Sequence, residues 1–572
     1  MMTAVESLAT VSESATSAEI EASRTVHPSL AALGAFLLYL AASIVIWGRP
    51  VLAHFTSRYV AGDRGDPDFY RWALAWTPWA LSHHQSILFT DRVFAPQGVD
   101  LTWTALIPGP ALVAWPVTAA FGTLASFNLL MLLAPALAAW AAYLVCRRVT
   151  GSFWASLAGG YVFGFSTYMT GQMEAHLNLV LIFPVPLAVY LVIRRVEGSI
   201  GKWWFVGLMS LTLLGLLSIS TELFATTVLF GAIAFVLAVI AAGSARAQIL
   251  RAVVLTGFAG AVVVAVAGVP YLLPVLRHAP ADPVRPLDLP SVDLLGFVVP
   301  RAQLAGGSLF AGVTDRFTAR LAEDASYVGL AGLVVLVGFA ITERGRRGTW
   351  ALLGFVAVAS VLALGPVLHV EGTRLFVMPG TLLSHAPLLR NATPQRFPTY
   401  TALAIGAIVA IWLARAHGRW AWTRWALVAI AAASLLPGTR SPDRFPLDRT
   451  PAFFTDGTYA SWLAPDEIVL VIPGRSGEEM MWQATADRSF RMPEGYIGPI
   501  PAANRDGRLA MGLSVEDQFP FVPGKTEFTD WLARHRVTSI VLSDVARARF
   551  EPLLRSVGLE PVYRGGGVSV WR

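Results

Sequence analysis

The sequence is dominated by apolar segments of about twenty residues that recur along the chain, separated by short turns. The first, Ser29–Gly48, contains no charged residue, and its length suffices for a helix to cross a hydrocarbon layer of about 30 Å. Of the 572 residues, 55% are hydrophobic and 14% are charged, whereas soluble domains carry about 25% charged residues. The sequence therefore predicts a polytopic α-helical membrane protein.

Arginines mark the turns between these segments and predict the topology. Pairs occur at Arg147-Arg148, Arg194-Arg195 and Arg346-Arg347, and basic residues in short loops are typical of the cytoplasmic side. The net charge of +6 is thus spread over turns, which argues against a nucleic-acid-binding groove. The single cysteine, Cys146, excludes an intramolecular disulfide.

One apolar segment decides how the others are oriented. Ala105–Phe121 is hydrophobic enough to cross, but a crossing there would place Arg147-Arg148 outside. We therefore expect it to lie in the outer leaflet, broken by Pro108, Pro110 and Pro116. About eleven transmembrane helices remain, with the N-terminus inside and the C-terminus outside. The ten that follow Ser29–Gly48 are expected at Ala125–Cys146, Ser152–Tyr168, Leu177–Ile193, Trp203–Ser220, Leu223–Ala242, Ala252–Leu276, Ser326–Ile341, Thr349–Leu368, Phe397–Ala414 and Trp425–Leu436.

Three regions follow from composition. Residues 1–28 lack an apolar period and are expected to form a disordered cytoplasmic tail. Residues 29–437 form the membrane domain, with a first outer loop at 49–124 that contains interfacial helices. Residues 438–572 have frequent charges and short apolar runs, and predict a small extracytoplasmic α/β domain. Its expected elements are strands Ile468–Ile472 and Val537–Leu542 and the helix Glu527–His535.

The first outer loop carries three carboxylates beside an aromatic segment. Asp63, Asp66 and Asp68 lie in the sequence GDRGDPDFYRWALAWTPW. Taken alone, they suit solvated turns or helix caps, because Gly-Asp and Asp-Pro are common in turns. The tryptophans of Trp72–Leu81 suggest a helix at the depth of the lipid headgroups.

Further polar residues lie at other outer ends of the predicted spans. Glu174 and His176 follow one span, Glu222 sits between two, and Arg390 and Arg396 precede another. Singly, each suits a helix cap, a packed side chain or a headgroup contact. Together on one side of the membrane, the carboxylates suit a base or a divalent cation, and the arginines suit a phosphate.

These motifs resemble a known class. The first-loop GDPDF, the proline-containing segment Thr104–Phe121, the run Leu144–Ser166, Glu174 and the late RNATPQRF are similar to the GT-C class of polyprenyl-phosphate-sugar-dependent membrane glycosyltransferases. That superfamily includes the protein mannosyltransferases and aminoarabinose transferases. The resemblance covers Ser29 to Leu436 and is closest to an uncharacterised bacterial branch.

The resemblance implies roles for particular residues. Asp66 would be the catalytic base, with Asp63 as the alternative because there are two Gly-Asp pairs. Arg396, Arg390 and His176 would hold the donor phosphate. Glu174 and Asp68 would bind a divalent cation, Mg²⁺ or Mn²⁺, although the second loop has no Asp-x-Asp motif and metal dependence stays open.

The implied function is transfer of a sugar, with inversion, from a polyprenyl-phosphate donor to an acceptor hydroxyl outside the bacterial inner membrane. The acceptor would be a glycan, a lipid or a protein, and no nucleic acid is expected. Two alternatives stay open: a lipid or glycolipid transporter or flippase, and a non-catalytic assembly protein of cell-envelope polysaccharide synthesis. A transporter would favour acids within spans and a repeat between halves, and the sequence has neither.

Overall fold

The computed structural model describes residues 28–62, 65–280, 291–319, 323, 325–386, 388–438, 445–474, 476–498, 500–501, 504 and 522–572. The predicted N-terminal tail, apart from its last residue, lies outside the described residues. Asp63 does too.

Twenty α-helices make up most of the described chain. They are α1 (Pro28–Ser43), α2 (Gly65–Ser82), α3 (Pro108–Thr150), α4 (Phe153–Gly164), α5 (Thr167–Gln172), α6 (Leu177–Val180), α7 (Pro184–Val196), α8 (Lys202–Ile219), α9 (Thr221–Ala241), α10 (Arg246–Ala267), α11 (Leu273–Arg277), α12 (Ala311–Thr314), α13 (Gly329–Thr342), α14 (Arg347–Ala363), α15 (Pro398–Ala414), α16 (Ala421–Ser434), α17 (Ala452–Thr455), α18 (Glu478–Thr485), α19 (Lys525–Arg534) and α20 (Arg547–Ser556).

The described strands form two hairpins and one larger sheet. They are β1 (Phe89–Thr90), β2 (Val99–Asp100), β3 (Val367–Val370), β4 (Thr373–Val377), β5 (Val469–Ile472), β6 (Ser539–Ser543), β7 (Pro561–Gly565) and β8 (Val568–Trp571). Strands β1 and β2 pair antiparallel, as do β3 and β4. The larger sheet has the order β5-β6-β8-β7, in which only β5 and β6 are parallel.

The chain divides into two compact units. One contains residues 1–50, 130–270 and 281–441, and the other contains 51–129, 271–280 and 442–572. We call them the helical unit and the loop unit. The loop unit joins the first predicted outer loop to the C-terminal sheet, two regions that are far apart in sequence.

The helical elements confirm a multi-pass membrane protein. Among the described residues, seven helical segments are long and apolar enough to cross a membrane, and α13 and α14 are shorter apolar helices. Side chains on α10 such as Val254, Val264 and Val266 are more than half exposed, as expected of surface that faces lipid rather than water. The total of eleven crossings stays a prediction.

Helix α3 corrects the expectation for Ala105–Phe121. Pro108 and Pro110 occupy its first turn, where a missing N–H costs nothing, and the helix continues through Pro116. The break falls at Gly122, whose φ of 86° and ψ of 169° are not helical. The expectation that the prolines break the segment is therefore wrong, because a glycine without a Cβ takes up the kink. The expectation that residues 108–121 do not cross the membrane stays a prediction.

Two glycines allow a close helix crossing in the helical unit. A Cβ on Gly159 of α4 would lie 2.4 Å from the Gly406 carbonyl oxygen, and one on Gly406 of α15 would lie 2.5 Å from the Gly159 carbonyl oxygen. Small residues let membrane helices approach closely, since packing drives their association. Around this crossing, α4, α13, α15 and α16 contribute to one apolar core.

The C-terminal sheet confirms the two predicted strands and the predicted helix. Its core contains Leu470 and Leu542 from the parallel strands, Trp531 from α19 and Trp571 from β8, each at most 1% exposed. The β7–β8 hairpin and helices α18 and α20 were not predicted. Each of these elements is short, and its apolar residues repeat too few times for a helix or strand period to be recognised in a mixed sequence.

Candidate active site

Asp66 lies at the beginning of α2 and is held by a residue of the C-terminal segment. The helix starts at Gly65, with Asp66 and Asp68 in its first turn. The Tyr496 hydroxyl donates to Asp66 Oδ1 at 2.8 Å. Both side chains are half-buried, so Asp66 is partly exposed to solvent.

Asp68 has a different environment, although it is only two residues away. It is 1% exposed, and its Oδ1 accepts from the Tyr59 hydroxyl and, at 3.2 Å, from Arg71 Nη1. Arg71 also donates to Tyr59 and, through Nη2, to Asp448 Oδ2 at 2.7 Å. Asp68 is thus part of a buried charge network that fixes α2.

The pKa values in this network reflect burial and pairing. Burial opposes the charge on Arg71, but Tyr59, Asp448 and Asp68 outweigh it, so the Arg71 pKa is raised. Burial would raise the pKa of Asp448, yet the Arg71 charge and hydrogen bonds from Arg71 and Thr450 lower it. Burial raises the pKa of Tyr59, which keeps this phenol neutral. The network therefore keeps Arg71 and Asp448 charged.

A buried asparagine orders the chain that leads into α2. Asn128 is fully buried. Its amide nitrogen donates to the carbonyls of Phe55 and Arg58, both at 2.8 Å, and its oxygen accepts from Val60 N at 3.0 Å. One side chain thereby satisfies three backbone groups of an irregular segment, which places Tyr59 beside Asp68.

Protein covers most of the tryptophan surface of α2, and the position of this helix at the depth of the lipid headgroups stays a prediction. Trp72 and Trp76 are at most 1% exposed and stack with ring centroids 5.1 Å apart. The Arg488 guanidinium lies 5.3–5.7 Å from the rings of Trp72, Trp76 and Trp79. Burial lowers the pKa of Arg488 to about 9. Contacts within the loop unit cover these rings, which sequence alone could not reveal.

A second charged cluster lies in the helical unit around Arg396. Arg396 follows Gln395 in the turn before α15, and its guanidinium pairs with Glu222 and, at 3.2 Å, with Glu323 Oε1. Glu222 Oε1 also accepts from Thr393 N at 2.9 Å, and Gln395 donates to Glu323. The predicted phosphate ligand thus binds two carboxylates of its own chain in this structure.

The other predicted residues of the helical unit surround or adjoin this cluster. His176 Nε2 lies 3.6 Å from Glu323 Oε1, and half-buried Glu174 is in the same turn as His176. Arg390 lies in the turn Leu389–Asn391, which contacts α9. Ser220, and not Glu222, caps the N-terminus of α9, because the Ser220 hydroxyl accepts from Leu223 N.

Sequence reasoning missed Glu323 and Tyr496. Glu323 is 3% exposed on its side chain and comes shortly before the apolar helix α13, and this position at the end of a predicted span is the signal that could have found it. Tyr496 had no comparable signal, because a tyrosine in a mixed loop is ordinary. The structure brings Arg396, Glu222, Glu323 and His176 together, while Asp66 belongs to the other unit. The convergence of Asp66 with Glu174 and Arg396 stays a prediction.

The described side chains do not fit a metal centre. Among the residues that the structure describes, no three His, Cys, Asp or Glu side chains form a group able to hold a metal ion. Tyr59 and Arg71 bind the Asp68 carboxylate in a buried site, and the metal-ligand roles of Asp68 and Glu174 stay predictions.

Comparison with solved structures defines the class of fold. An arabinofuranosyltransferase, AftD from Mycobacteria, aligns over 94% of this chain and 41% of its own with a TM-score of 0.58 and 12% identity. The chain thus spans about two fifths of the length of that protein. ArnT from Cupriavidus metallidurans in the apo state aligns over 95% and 98% of the two chains, with 13% identity and a TM-score of 0.39. An oligosaccharyltransferase from Archaeoglobus fulgidus, in complex with Zn and sulfate, covers 91% and 69%, with 12% identity and a TM-score of 0.47.

The chain therefore shares its fold with the arabinofuranosyltransferase AftD, which confirms at the level of architecture the kind of protein that the resemblance implied. The chain belongs to the family described as a domain of unknown function, DUF6311, whose model matches residues 35–436. No curated protein matches the chain.

Proposed function

We propose that this protein is a membrane glycosyltransferase that transfers a sugar from a polyprenyl-phosphate donor to an acceptor hydroxyl, with Asp66 as the base. The observation that carries the proposal is the contrast between the two first-turn carboxylates of α2. Asp68 is buried against Tyr59 and Arg71, whereas Asp66 is only half-buried and accepts a hydrogen bond from the Tyr496 hydroxyl. The fold shared with AftD adds support.

The reaction is a single displacement at the anomeric carbon. Asp66 accepts the proton of the acceptor hydroxyl, and the hydroxyl oxygen forms the new bond to the anomeric carbon. The bond from that carbon to the phosphate oxygen breaks, and the lipid phosphate leaves with its electron pair, so the configuration inverts. General-base catalysis of this kind contributes about 10²–10⁴ in rate.

Arg396 is the proposed ligand of the departing phosphate. The Arg396 guanidinium is already paired with two carboxylates, so a phosphate can bind it only by displacing one of them. Glu222 is the more exposed of the two carboxylates, at 21% against 3% for Glu323, so Glu222 is the one expected to yield. Glu323 would remain, keeping the guanidinium oriented toward the donor.

Partners and location follow from the same chemistry. A lipid-linked donor reaches the site through the membrane, so membrane lipids surround the protein, and the acceptor is a glycan, a lipid or a protein. We place the site on the outer face of the bacterial inner membrane, because the arginine-bearing turns are assigned to the cytoplasm. A divalent cation, if Glu174 holds one, would add to the stabilisation of the departing phosphate.

The test is transfer of radiolabel from a panel of short-chain polyprenyl-phosphate sugars by the purified protein. Transfer or hydrolysis of one donor by the wild type, and its loss in Asp66→Asn, would support the proposal. Asp68→Asn does not separate the roles, because it disrupts the buried network. Full activity of Asp66→Asn would move the base to Asp63 or end the proposal, and inactivity of the wild type with every donor would favour the transporter alternative.

A further inference from the structure

Tyr496 connects the C-terminal region to the proposed base. Its hydroxyl donates to Asp66 Oδ1 at 2.8 Å, between residues 430 positions apart in sequence. A hydrogen bond to a charged group is worth about 1.5–3 kcal/mol, enough to select one orientation of a half-buried carboxylate. The contact therefore restricts rotation of the Asp66 side chain.

The backbone of α2 is shaped to admit this contact. A Cβ on Gly65 would lie 3.1 Å from Tyr496 Oη, so a larger residue would press on the phenol. On another side of the same turn, Gly477 has a φ of +87°, and a Cβ there would lie 2.7 Å from the Gly65 carbonyl oxygen and 3.2 Å from Asp68 Cβ. Two segments of the C-terminal region thus enclose the first turn of α2.

Tyr496 is itself held in place independently of Asp66. Met492 N donates to the Arg92 carbonyl at 2.8 Å, and Ala95 N donates to the Met492 carbonyl at 2.9 Å. A Cβ on Gly495 would lie 3.2 Å from Val93 Cβ. The segment that carries Tyr496 is therefore held against the first loop by backbone hydrogen bonds that do not involve Asp66.

We infer that Tyr496 is a positioning residue, through which the C-terminal region completes the active site in the first loop. The inference rests on the proposed function, since it takes Asp66 as the base. By fixing the carboxylate, Tyr496 sets the direction from which the acceptor hydroxyl approaches. Misplacement of a reacting group by about 1 Å can cost 10²-fold in rate. The C-terminal domain is thus part of the catalytic apparatus and not a separate docking module.

The test compares Tyr496→Phe with Tyr459→Phe. Tyr459 is also half-buried in the C-terminal region, and its ring packs on Phe454 with centroids 6.4 Å apart. With the polyprenyl-phosphate sugar that the panel identifies, Tyr496→Phe is expected to lower kcat by about 10-fold or more, with donor KM within twofold of wild type. Tyr459→Phe is expected to keep both. Unchanged kcat in Tyr496→Phe, or a rise in KM with kcat kept, would overturn the inference.

A double-mutant cycle on thermal stability tests the contact without any turnover. If Tyr496 acts through Asp66, the fall in melting temperature caused by Tyr496→Phe should nearly vanish in an Asp66→Ala background, which has lost the acceptor of this hydrogen bond. Additive effects would overturn the inference. If the cycle shows coupling but Asp66→Asn keeps full activity, the proposed function fails at its base, and Tyr496 loses the positioning role with it. If Asp66→Asn is inactive while Tyr496→Phe keeps the wild-type kcat, only the inference fails.

Discussion

Arg71 of the first loop donates through Nη2 to Asp448 Oδ2 at 2.7 Å, across 377 positions of sequence. The Arg71 side chain is 5% exposed and the Asp448 side chain is 23% exposed, so the ion pair is largely shielded from solvent. With Tyr59 and Asp68 it ties the helix that carries Asp66 to the chain that enters the C-terminal domain. Stability of this region and geometry of the proposed base therefore depend on the same contacts.

Replacing Asp448 should destabilise the loop unit. Asp448→Asn leaves the buried Arg71 charge with Asp68 as its remaining carboxylate, and removing one partner of a buried pair costs about 3–5 kcal/mol, less here because Asp448 is partly exposed. We expect a lower melting temperature in detergent, with no such change for the exposed Asp456→Asn. Because pairing lowers the Asp448 pKa, the difference between wild type and Asp448→Asn should be full at pH 7 and shrink as pH falls below the ordinary aspartate range. A gap that is constant down to acid pH would contradict this.

Glu479 should make stability fall as pH rises. It is 1% exposed, and burial raises its pKa to about 7, so between the ordinary glutamate value and pH 7 the folded protein keeps a proton that the unfolded chain has lost. Stability should therefore decrease over that range by about 3 kcal/mol and level off above it. Melting curves from pH 5 to pH 8 should show a steeper decrease in wild type than in Glu479→Gln. Parallel curves would show that Glu479 stays charged in the fold.

The crossing of α4 and α15 should not tolerate a methyl group. Gly159→Ala places a Cβ 2.4 Å from the Gly406 carbonyl oxygen, so the helices must separate, at a cost of about 1–3 kcal/mol for overpacking. Gly207→Ala is a matched control, because a Cβ there meets nothing within 4 Å. Yield of monodisperse protein and melting temperature should fall only for Gly159→Ala. Equal behaviour of the two variants would mean that the crossing is looser than described.

Arg396 and Asp66 should fail in different ways. Asp66→Asn keeps shape and should keep donor affinity while turnover falls. Arg396→Ala should weaken donor binding by about 10- to 100-fold, the value of a charge-assisted hydrogen bond, and should also lower the melting temperature, since it leaves Glu222 and Glu323 without their guanidinium. Arg396→Lys should recover stability more than affinity, because a point charge cannot bind two oxygens side by side. Thermal shift with a short-chain polyprenyl-phosphate sugar measures both, and equal loss of affinity in Asp66→Asn would make Asp66 a binding or structural residue.

Topology can be tested with reporter fusions. A reporter after Arg148 or Arg347 should report the cytoplasm, and one after Pro442 should report the outside, because the basic turns orient the helices. A cytoplasmic signal after Pro442 would require residues 108–121 of α3 to be reassigned as a crossing helix.

The sequence by itself determined the class of fold, the apolar segments and the two strands of the C-terminal core. Length and hydropathy are local properties, and a helix in a membrane satisfies its own backbone, so Lys202–Ile219 or Pro398–Ala414 can be found within one or two residues from composition alone. The carboxylates of the first loop were found in the same way, but their different environments were not. Asp66 and Asp68 look alike in sequence, and only the packing of Tyr59, Arg71 and Asp448 makes one buried and leaves the other accessible.

The tertiary structure also decided which charges pair. Arg396 with Glu222 and Glu323, and Tyr496 with Asp66, are contacts between segments more than 70 positions apart, and no local pattern encodes them. The buried tryptophans of α2 show the same limit, because the sequence of an aromatic stripe is the same whether its rings contact lipid headgroups or the Arg488 guanidinium. Burial is a property of the folded neighbourhood, and it sets both the charge state of a side chain and whether a substrate can reach it.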